Sequence, residues 1–205
     1  MKFLRLEFQA FGSYPNREVV DFTTLEQKGL FVVTGPTGSG KTTIFDALAY
    51  ALFNELPGER SGQGAEHRSQ HARPEHRTEV TLDFEVDNTH YRVTRTPRQE
   101  RQKLKGSGVT KEDPTASLVK VVNGTEQPVT TGAEKVEKEC KALVGLSASE
   151  FQRVVLLPQG RFTQFLLATE GQREELLGQL FDGQTYKTAL AHLKDEAARL
   201  GKEVG

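Results

Sequence analysis

An α/β fold, with a β-rich N-terminal lobe and a helical tail, is what the sequence predicts, and three observations predict it. Leu4, Leu6, Phe8 and Ala10 alternate with Arg5, Glu7 and Gln9, the period-2 pattern of a strand with one buried face. Residues 29–34 form an apolar run with β-branched and aromatic members, followed by a glycine-rich turn and then by apolar residues spaced three and four apart. That is the order strand, loop, helix. Near the other end Leu190, Leu193, Ala197, Leu200 and Val204 repeat at 3-4-3-4 with charged residues between them, the seam of an amphipathic helix of heptad type.

The elements follow in order. After the first strand, Phe11, Gly12, Ser13, Tyr14, Pro15 and Asn16 carry turn chemistry, and Val19, Val20, Asp21 and Phe22 resume an extended pattern, so the first two strands make a hairpin. The run 29–34 reads as a strand buried on both faces. Next come Gly35, Pro36, Thr37, Gly38, Ser39, Gly40, Lys41 and Thr42, which fit G-x-x-x-x-G-K-[ST], the phosphate-binding loop. The chemistry needs those residue types at that spacing. Glycines let the backbone wrap so that its N–H groups face a phosphate, Lys41 reaches the β- and γ-phosphates, and Thr42 places a hydroxyl on Mg²⁺. From Thr43 to Phe53 the apolar positions Ile44, Phe45, Ala47, Leu48, Ala51 and Leu52 give a helix whose N-terminus adds a favourable field for an anion. A nucleotide with Mg²⁺ is expected there.

Residues 56–77 are polar and rich in Pro and Gly, and read as a surface loop on which His67, His71 and His76 are solvated rather than metal ligands. Val80, Leu82, Phe84 and Val86 alternate, Asp87 and Asn88 turn, and Tyr91 and Val93 return: a second hairpin. Another strand, 118–122, ends at Asn123-Gly124. Between them Arg92, Arg95, Arg98, Arg101, Lys103, Lys105 and Lys111 form a basic stretch interrupted by Gly106 and Gly108. It reads either as a solvated hairpin loop or as a phosphate-backbone contact for nucleic acid. Thr131-x-x-Glu134 is a capping box for a helix with Val136, Cys140, Leu143 and Val144 on one face and Gly145 at its end. On that face Cys140 is a packing residue rather than a reactive thiol. Ser147-x-x-Glu150 caps a short helix around Phe151, residues 154–157 read as a buried strand, and the chain is helix-like from Thr163 onward.

Composition narrows the class. The 205 residues carry 27 basic and 28 acidic side chains, a formal net charge of −1, so nucleic acid is not held by bulk charge and any contact must be local. The single cysteine excludes an internal disulfide and points to a reducing, cytoplasmic compartment. No apolar run approaches the roughly 18 to 20 residues that span a bilayer, and no leader is expected.

Hydrolysis at a phosphate loop also requires a carboxylate for Mg²⁺ at the end of a neighbouring apolar strand. After residue 41 no such strand occurs. Leu82-Asp83 and Val86-Asp87 come nearest but lie in alternating, half-exposed segments. The stretch Leu146, Ser147, Ala148, Ser149, Glu150 imitates the L-S-G-G-E signature of transporter-type ATPases but lacks both glycines, and a capping box accounts for it. The guanine-reading N-K-x-D pattern is absent, which argues against a GTPase.

The residues Phe11-Gly12-Ser13-Tyr14 with Val20-Asp21-Phe22, the loop from Gly35 to Thr43 with Asp46-Ala47-Leu48, and above all Leu156-Leu157-Pro158-Gln159-Gly160-Arg161-Phe162 resemble the SbcC family of SMC-like ABC ATPases, the ATPase subunits of bacterial SbcCD double-strand-break repair nucleases. The resemblance implies an ABC/SMC-type P-loop ATPase head. In that family the N-terminal lobe carries the phosphate loop and Q-loop, a long coiled coil leads away and returns, and a C-terminal half supplies the signature motif and acidic strand. By the same resemblance Gly35 to Thr43 cradle ATP, Thr42 ligates Mg²⁺, Gln159 contacts Mg²⁺ and the attacking water, and Ser13 and Arg73 lie near the base. It also favours DNA contact by Arg95, Arg98, Arg101, Lys103 and Lys105. Residues 1–168 are then the ATPase lobe, and 169–205 a helical segment at the root of the coiled coil. The expected partners are the C-terminal half, a second head, an SbcD-type nuclease and double-stranded DNA ends, with no membrane and a nucleoid-associated, cytoplasmic setting. Two other readings stand beside it: a different SMC-like tethering or recombination ATPase, and a small-molecule P-loop kinase.

Overall fold

A computed structural model describes residues 1–25, 31–57, 67–102, 108–156 and 169. The chain divides into two compact units, Met1–Ala148 and Ser149–Gly205. The first unit is a mixed α/β lobe whose core is a six-stranded antiparallel sheet. Its strands are β1 (Lys2–Phe11), β2 (Tyr14–Asp21), β3 (Glu79–Val86), β4 (Thr89–Thr96), β7 (Thr115–Val122) and β8 (Thr125–Thr131), in the order β2-β1-β3-β4-β7-β8. A separate two-stranded ribbon pairs β5 (Gln99–Gln102) with β6 (Val109–Glu112). A single helical turn, α1 (Phe22–Leu25), follows β2 and seats the Phe22 ring against Phe3 of β1.

The alternation read from the sequence sets the faces. Leu6 lies opposite Leu82, Leu82 opposite Val93 and Val93 opposite Leu118, and all four are buried. Phe8, Val80 and Ala116 continue that inward face, each buried side chain of this kind contributing up to about 1.5–3 kcal/mol. Two helices cover it. The helix α2 (Lys41–Phe53) packs on β1, β3 and β4, and α3 (Ala133–Val144) on β7 and β8 and against α2. From Asp46 to Phe53 every residue of α2 is buried, the behaviour of a helix enclosed on all sides. The other face of the sheet is polar. Glu7 pairs with Arg5 and Arg17, Thr81 with Thr94, and Asp83 with both His90 and Arg92.

The two expected hairpins form, and the expected turn after residue 122 leads into a strand that the sequence reading does not assign. Asp87 and Asn88 (φ 48° and 58°) turn β3 into β4, and Asn123 and Gly124 turn β7 into β8. Cys140 is fully buried on the inner face of α3, as is Val136, and Gly145 ends that helix in the left-handed conformation. The short helix α4 (Ala148–Val154) starts where the second capping box places it.

Several expectations are corrected. Residues 31–36 have no regular structure, and Phe31, Val32 and Val33 are 45%, 78% and 40% exposed instead of buried. A strand needs neighbours to take its backbone hydrogen bonds and is buried on both faces only where layers cover both, and among the described residues no strand pairs with this run. Thr131 belongs to β8; α3 is preceded by Gly132 and has no side-chain cap, although Glu134 sits in its first turn. Within the basic stretch, residues 99–102 and 109–112 pair as two strands that the sequence reading does not assign. Val154 is helical, and Val155, whose N–H donates to the Phe151 carbonyl, is 44% exposed, so no buried strand begins there. The heptad seam, the domain boundary at residue 168, and Gln159 lie outside the described residues.

Candidate functional site

The loop from Gly35 to Gly40 closes on itself before α2 begins. The Ser39 N–H donates to the Pro36 carbonyl (3.2 Å), and the Lys41 ammonium donates to the carbonyls of Gly35 and Pro36, both at 2.8 Å. Lys41 therefore folds back across the mouth of the loop. Gly40 caps α2 at φ 87°, ψ 10°, and the Thr43 N–H donates to its carbonyl at 2.9 Å. The first N–H groups of a helix have no intrahelical acceptor, so the start of α2 presents donors and positive potential on the side of the loop. Thr42 is exposed there and Thr43 is buried.

The turn between β1 and β2 is seated on this helix start at three points. A Cβ on Gly12 would lie 2.5 Å from Thr43 Cγ2. Ser13 Oγ is 3.3 Å from Thr43 Oγ1. The Tyr14 ring lies over Gly40, where a Cβ would come within 2.7 Å of Cε2, and its hydroxyl donates to the Ser39 carbonyl at 3.4 Å. The turn reaches the helix because β1 is bulged between Gln9 and Phe11, with Ala10 at φ 49°. The displaced Ala10 carbonyl accepts from the Ser69 N–H (2.8 Å) and from Thr78 Oγ1 (3.1 Å).

Residues 67–78 join the same corner. The Gly12 N–H donates to the His67 carbonyl at 2.9 Å, and His76 Nδ1 is 3.2 Å from the Pro15 carbonyl. Arg68 braces the segment by donating to the carbonyls of His76 and Arg73. Arg73 itself is exposed. His67, expected to be solvated, is buried with its ring 4.5 Å from Tyr50 and 6.0 Å from Phe11, because the segment pairs back onto the end of β1.

The structure thus brings Gly35, Pro36, Thr37, Gly38, Ser39, Gly40, Lys41, Thr42, Thr43 and Ser13 together. The basic stretch separates into unlike parts. Arg95 is 1% exposed and turned inward, its guanidinium donating to the carbonyls of Ala51, Leu52 and Ala133 at the C-terminus of α2 and the start of α3. The expectation that it touches DNA is corrected: it shares the inward face with Val93, two residues earlier. Burial holds its pKa below the ordinary value, against the opposing pull of Cys140, Tyr50 and Glu137. Arg98 is exposed, 3.3 Å from Asp113 at the base of the ribbon. Arg101 lies in β5; its side chain, like Lys103 and Lys105, lies outside the described residues. Tyr14 is the contributor that local sequence reasoning missed, since only the fold-back of the hairpin carries it onto Gly40.

Among the described residues no group of three His, Cys, Asp or Glu side chains is placed to hold a metal, and no helix is long and apolar enough to cross a membrane.

A family model described as AAA domain matches residues 5–203. The SbcC polypeptide of the SbcCD nuclease of Vibrio cholerae serotype O1 is 40% identical over 204 residues, 99% of this chain and 20% of that protein. Its counterpart in Lactococcus lactis subsp. lactis is 40% identical over 184 residues, 88% of this chain and 17% of that one. That of Staphylococcus aureus strain MRSA252 is 30% identical over 208 residues, 100% of this chain and 20% of that one. The chain spans about a fifth of the length of these curated relatives. The SMC head domain from Thermotoga maritima aligns at TM-score 0.37 and 21% identity over 68% of this chain and 42% of that one, too slight a likeness to bear on function.

Proposed function

The chain belongs to the AAA domain family, and from that premise we propose that it is the ATP-binding half of an SMC-like DNA-repair ATPase head, similar to the SbcC polypeptide of the SbcCD nuclease. The observation that carries this reading is the Gly35–Gly40 loop: it closes onto the Lys41 ammonium at the start of a 13-residue helix that is buried from Asp46 to Phe53. A dense set of donors, a lysine held inside the loop and a backbone of small residues fit a polyphosphate.

In this reading Lys41 exchanges the Gly35 and Pro36 carbonyls for the β- and γ-phosphate oxygens. The N–H groups at the start of α2 orient the same phosphates, and the exposed Thr42 hydroxyl, with Gln159, holds Mg²⁺. When bound, Mg²⁺ supplies charge neutralisation to the transferring phosphoryl group. Ser13 and Arg73 are assigned to the nucleoside from their resemblance to family positions near the base. Residues 1–168 act as the ATPase lobe and 169–205 as the root of a coiled coil, in a cytoplasmic protein.

Hydrolysis requires a carboxylate strand and a signature motif from elsewhere, which we assign to a C-terminal half of the same head and to a second head. Exposure of Phe31, Val32 and Val33 supports this, because an apolar run next to the loop is left for sheet neighbours that another segment supplies. ATP-dependent joining of two heads would then govern the access of an SbcD-type nuclease to double-stranded DNA ends, with the β5–β6 ribbon contacting phosphates.

The test is to mix this chain with its C-terminal half and measure Mg·ATP hydrolysis with and without DNA. The reading predicts turnover well above the sum of the separate pieces and its loss in Lys41→Ala; no gain on mixing would break it. Phosphate transfer to a small acceptor by this chain alone would establish the kinase alternative instead.

A further inference from the structure

We propose that Tyr14 is a positioning residue for the nucleotide's phosphates, holding the Ser39–Gly40 peptide in the orientation that presents the Gly40 N–H to them. The inference rests on the nucleotide-binding reading above and adds to it a residue outside the phosphate loop.

The geometry is specific. The Tyr14 hydroxyl donates to the Ser39 carbonyl at 3.4 Å, so that carbonyl faces the β1–β2 turn. In a trans peptide the C=O and the following N–H point in opposite directions. Holding the Ser39 carbonyl toward Tyr14 therefore turns the Gly40 N–H away from it. The phenol ring restrains the same peptide sterically. It occupies the space where a Gly40 side chain would be, and Gly40 stands at φ 87°. Rotation of the 39–40 peptide would drive the Ser39 oxygen or the Gly40 backbone into the ring.

Tyr14 is itself immobilised. It opens β2 opposite Phe11, its ring meets Phe8 edge-on with centroids 5.1 Å apart, and the preceding Ser13 hydroxyl lies against Thr43. A rigid sheet edge thus holds one peptide of a loop whose neighbours are glycines. Preorganisation of this kind lowers the cost of ordering donors around a ligand.

The experiment measures binding by this chain of ATP and of inorganic tripolyphosphate, which has the phosphates without base or sugar. Wild type is compared with Tyr14→Phe, Tyr14→Ala and, as a control on the underlying reading, Lys41→Ala. Loss of one hydroxyl hydrogen bond predicts Tyr14→Phe binding weaker by about two- to tenfold, at an unfolding midpoint close to wild type. Tyr14→Ala, which also frees Gly40, should bind more weakly than Tyr14→Phe. Both ligands should weaken by the same factor, because the effect passes through the phosphates. A lower melting temperature without that matched loss would mean a general loosening of the lobe and would overturn the positioning role.

Wild-type binding of both ligands by both Tyr14 variants, with Lys41→Ala inactive, overturns the role of Tyr14 and leaves the nucleotide site standing. A loss confined to ATP assigns Tyr14 to the base and also overturns the proposal. Absence of nucleotide binding by wild type overturns the reading on which the proposal rests. Should Tyr14→Ala fail to fold, Tyr14→Phe alone decides, since it keeps the ring.

Discussion

Arg95 Nε donates to the Ala51 carbonyl at 2.7 Å, joining the middle of the sheet to the C-terminus of the helix that begins at the phosphate loop. The last carbonyls of a helix lack intrahelical donors. The Asn54 N–H satisfies Tyr50, and Arg95 satisfies Ala51 and Leu52. A cation there also opposes the negative end of the helix dipole.

Replacing Arg95 by Met keeps much of the stem volume and leaves those carbonyls buried without their donor. The expected loss is about 2–4 kcal/mol in urea unfolding, with an unchanged dependence on denaturant. Arg95→Lys should recover only part of it, because an ammonium cannot serve three carbonyls in a planar fork. An Arg95→Met protein as stable as wild type would show that the helix end does not depend on this cap.

Alkaline stability should report Cys140. Burial pushes its thiol from the ordinary 9.0 up to about 11, with the Arg95 charge partly offsetting. Below pH 9 neither the folded nor the unfolded thiol ionises, and the chain has its full stability. Between pH 9 and about 11 only the unfolded thiol loses its proton, so stability falls as pH rises. Tyr50, raised by burial above its ordinary 10.0, acts in the same direction at the upper end. Cys140→Ala should flatten the slope between about pH 9 and 10. At about pH 8 the native thiol should react with a disulfide reagent only after addition of urea.

Gly12 and Thr43 should be coupled. Gly12→Ala introduces a Cβ at φ +54° and 2.5 Å from Thr43 Cγ2, an expected cost of about 2–4 kcal/mol. Thr43→Ser deletes that methyl, so the double variant should regain about 1–2 kcal/mol relative to Gly12→Ala alone. Strict additivity in thermal unfolding would mean that the turn does not press on the helix.

The ribbon predicts an electrostatic signature. If Arg98 contacts a phosphate, Arg98→Glu weakens duplex binding and lowers the slope of log affinity against log salt by about one. Arg95→Met at a temperature where it remains folded should leave that slope unchanged, because its side chain is buried. Titrations of a blunt duplex at several salt concentrations separate the two.

Much of the lobe is legible in the sequence because its signals are local. Alternation marks β1 and β3, an apolar run marks β7, Asp87-Asn88 and Asn123-Gly124 mark the turns, and the loop from Gly35 to Lys41 marks the start of α2. Arg95 misleads because it sits in a run of basic residues, yet its spacing from Val93 places it on the inward face, and that spacing outweighs charge in the folded chain. The run 31–33 has the composition of a central strand but lacks neighbours among the described residues, and composition does not report whether a neighbour is present. Thr131 matches a capping box while the hydrogen bonds of the sheet claim it for β8. The contact of Tyr14 with Gly40 spans the first hairpin and the loop, and no local pattern encodes it.

The strand order carries a kinetic consequence. Pairings β1–β2, β3–β4 and β7–β8 join neighbours through two-residue turns and form early, whereas the β1–β2 hairpin must find β3 across the whole segment holding the phosphate loop and α2. The corner that carries the Gly35–Gly40 loop is therefore closed by the pairing with the longest intervening chain in the sheet. In refolding from urea, amides paired within the hairpins should gain exchange protection before those that bridge β1 to β3, and competence to capture nucleotide should arrive with that last pairing.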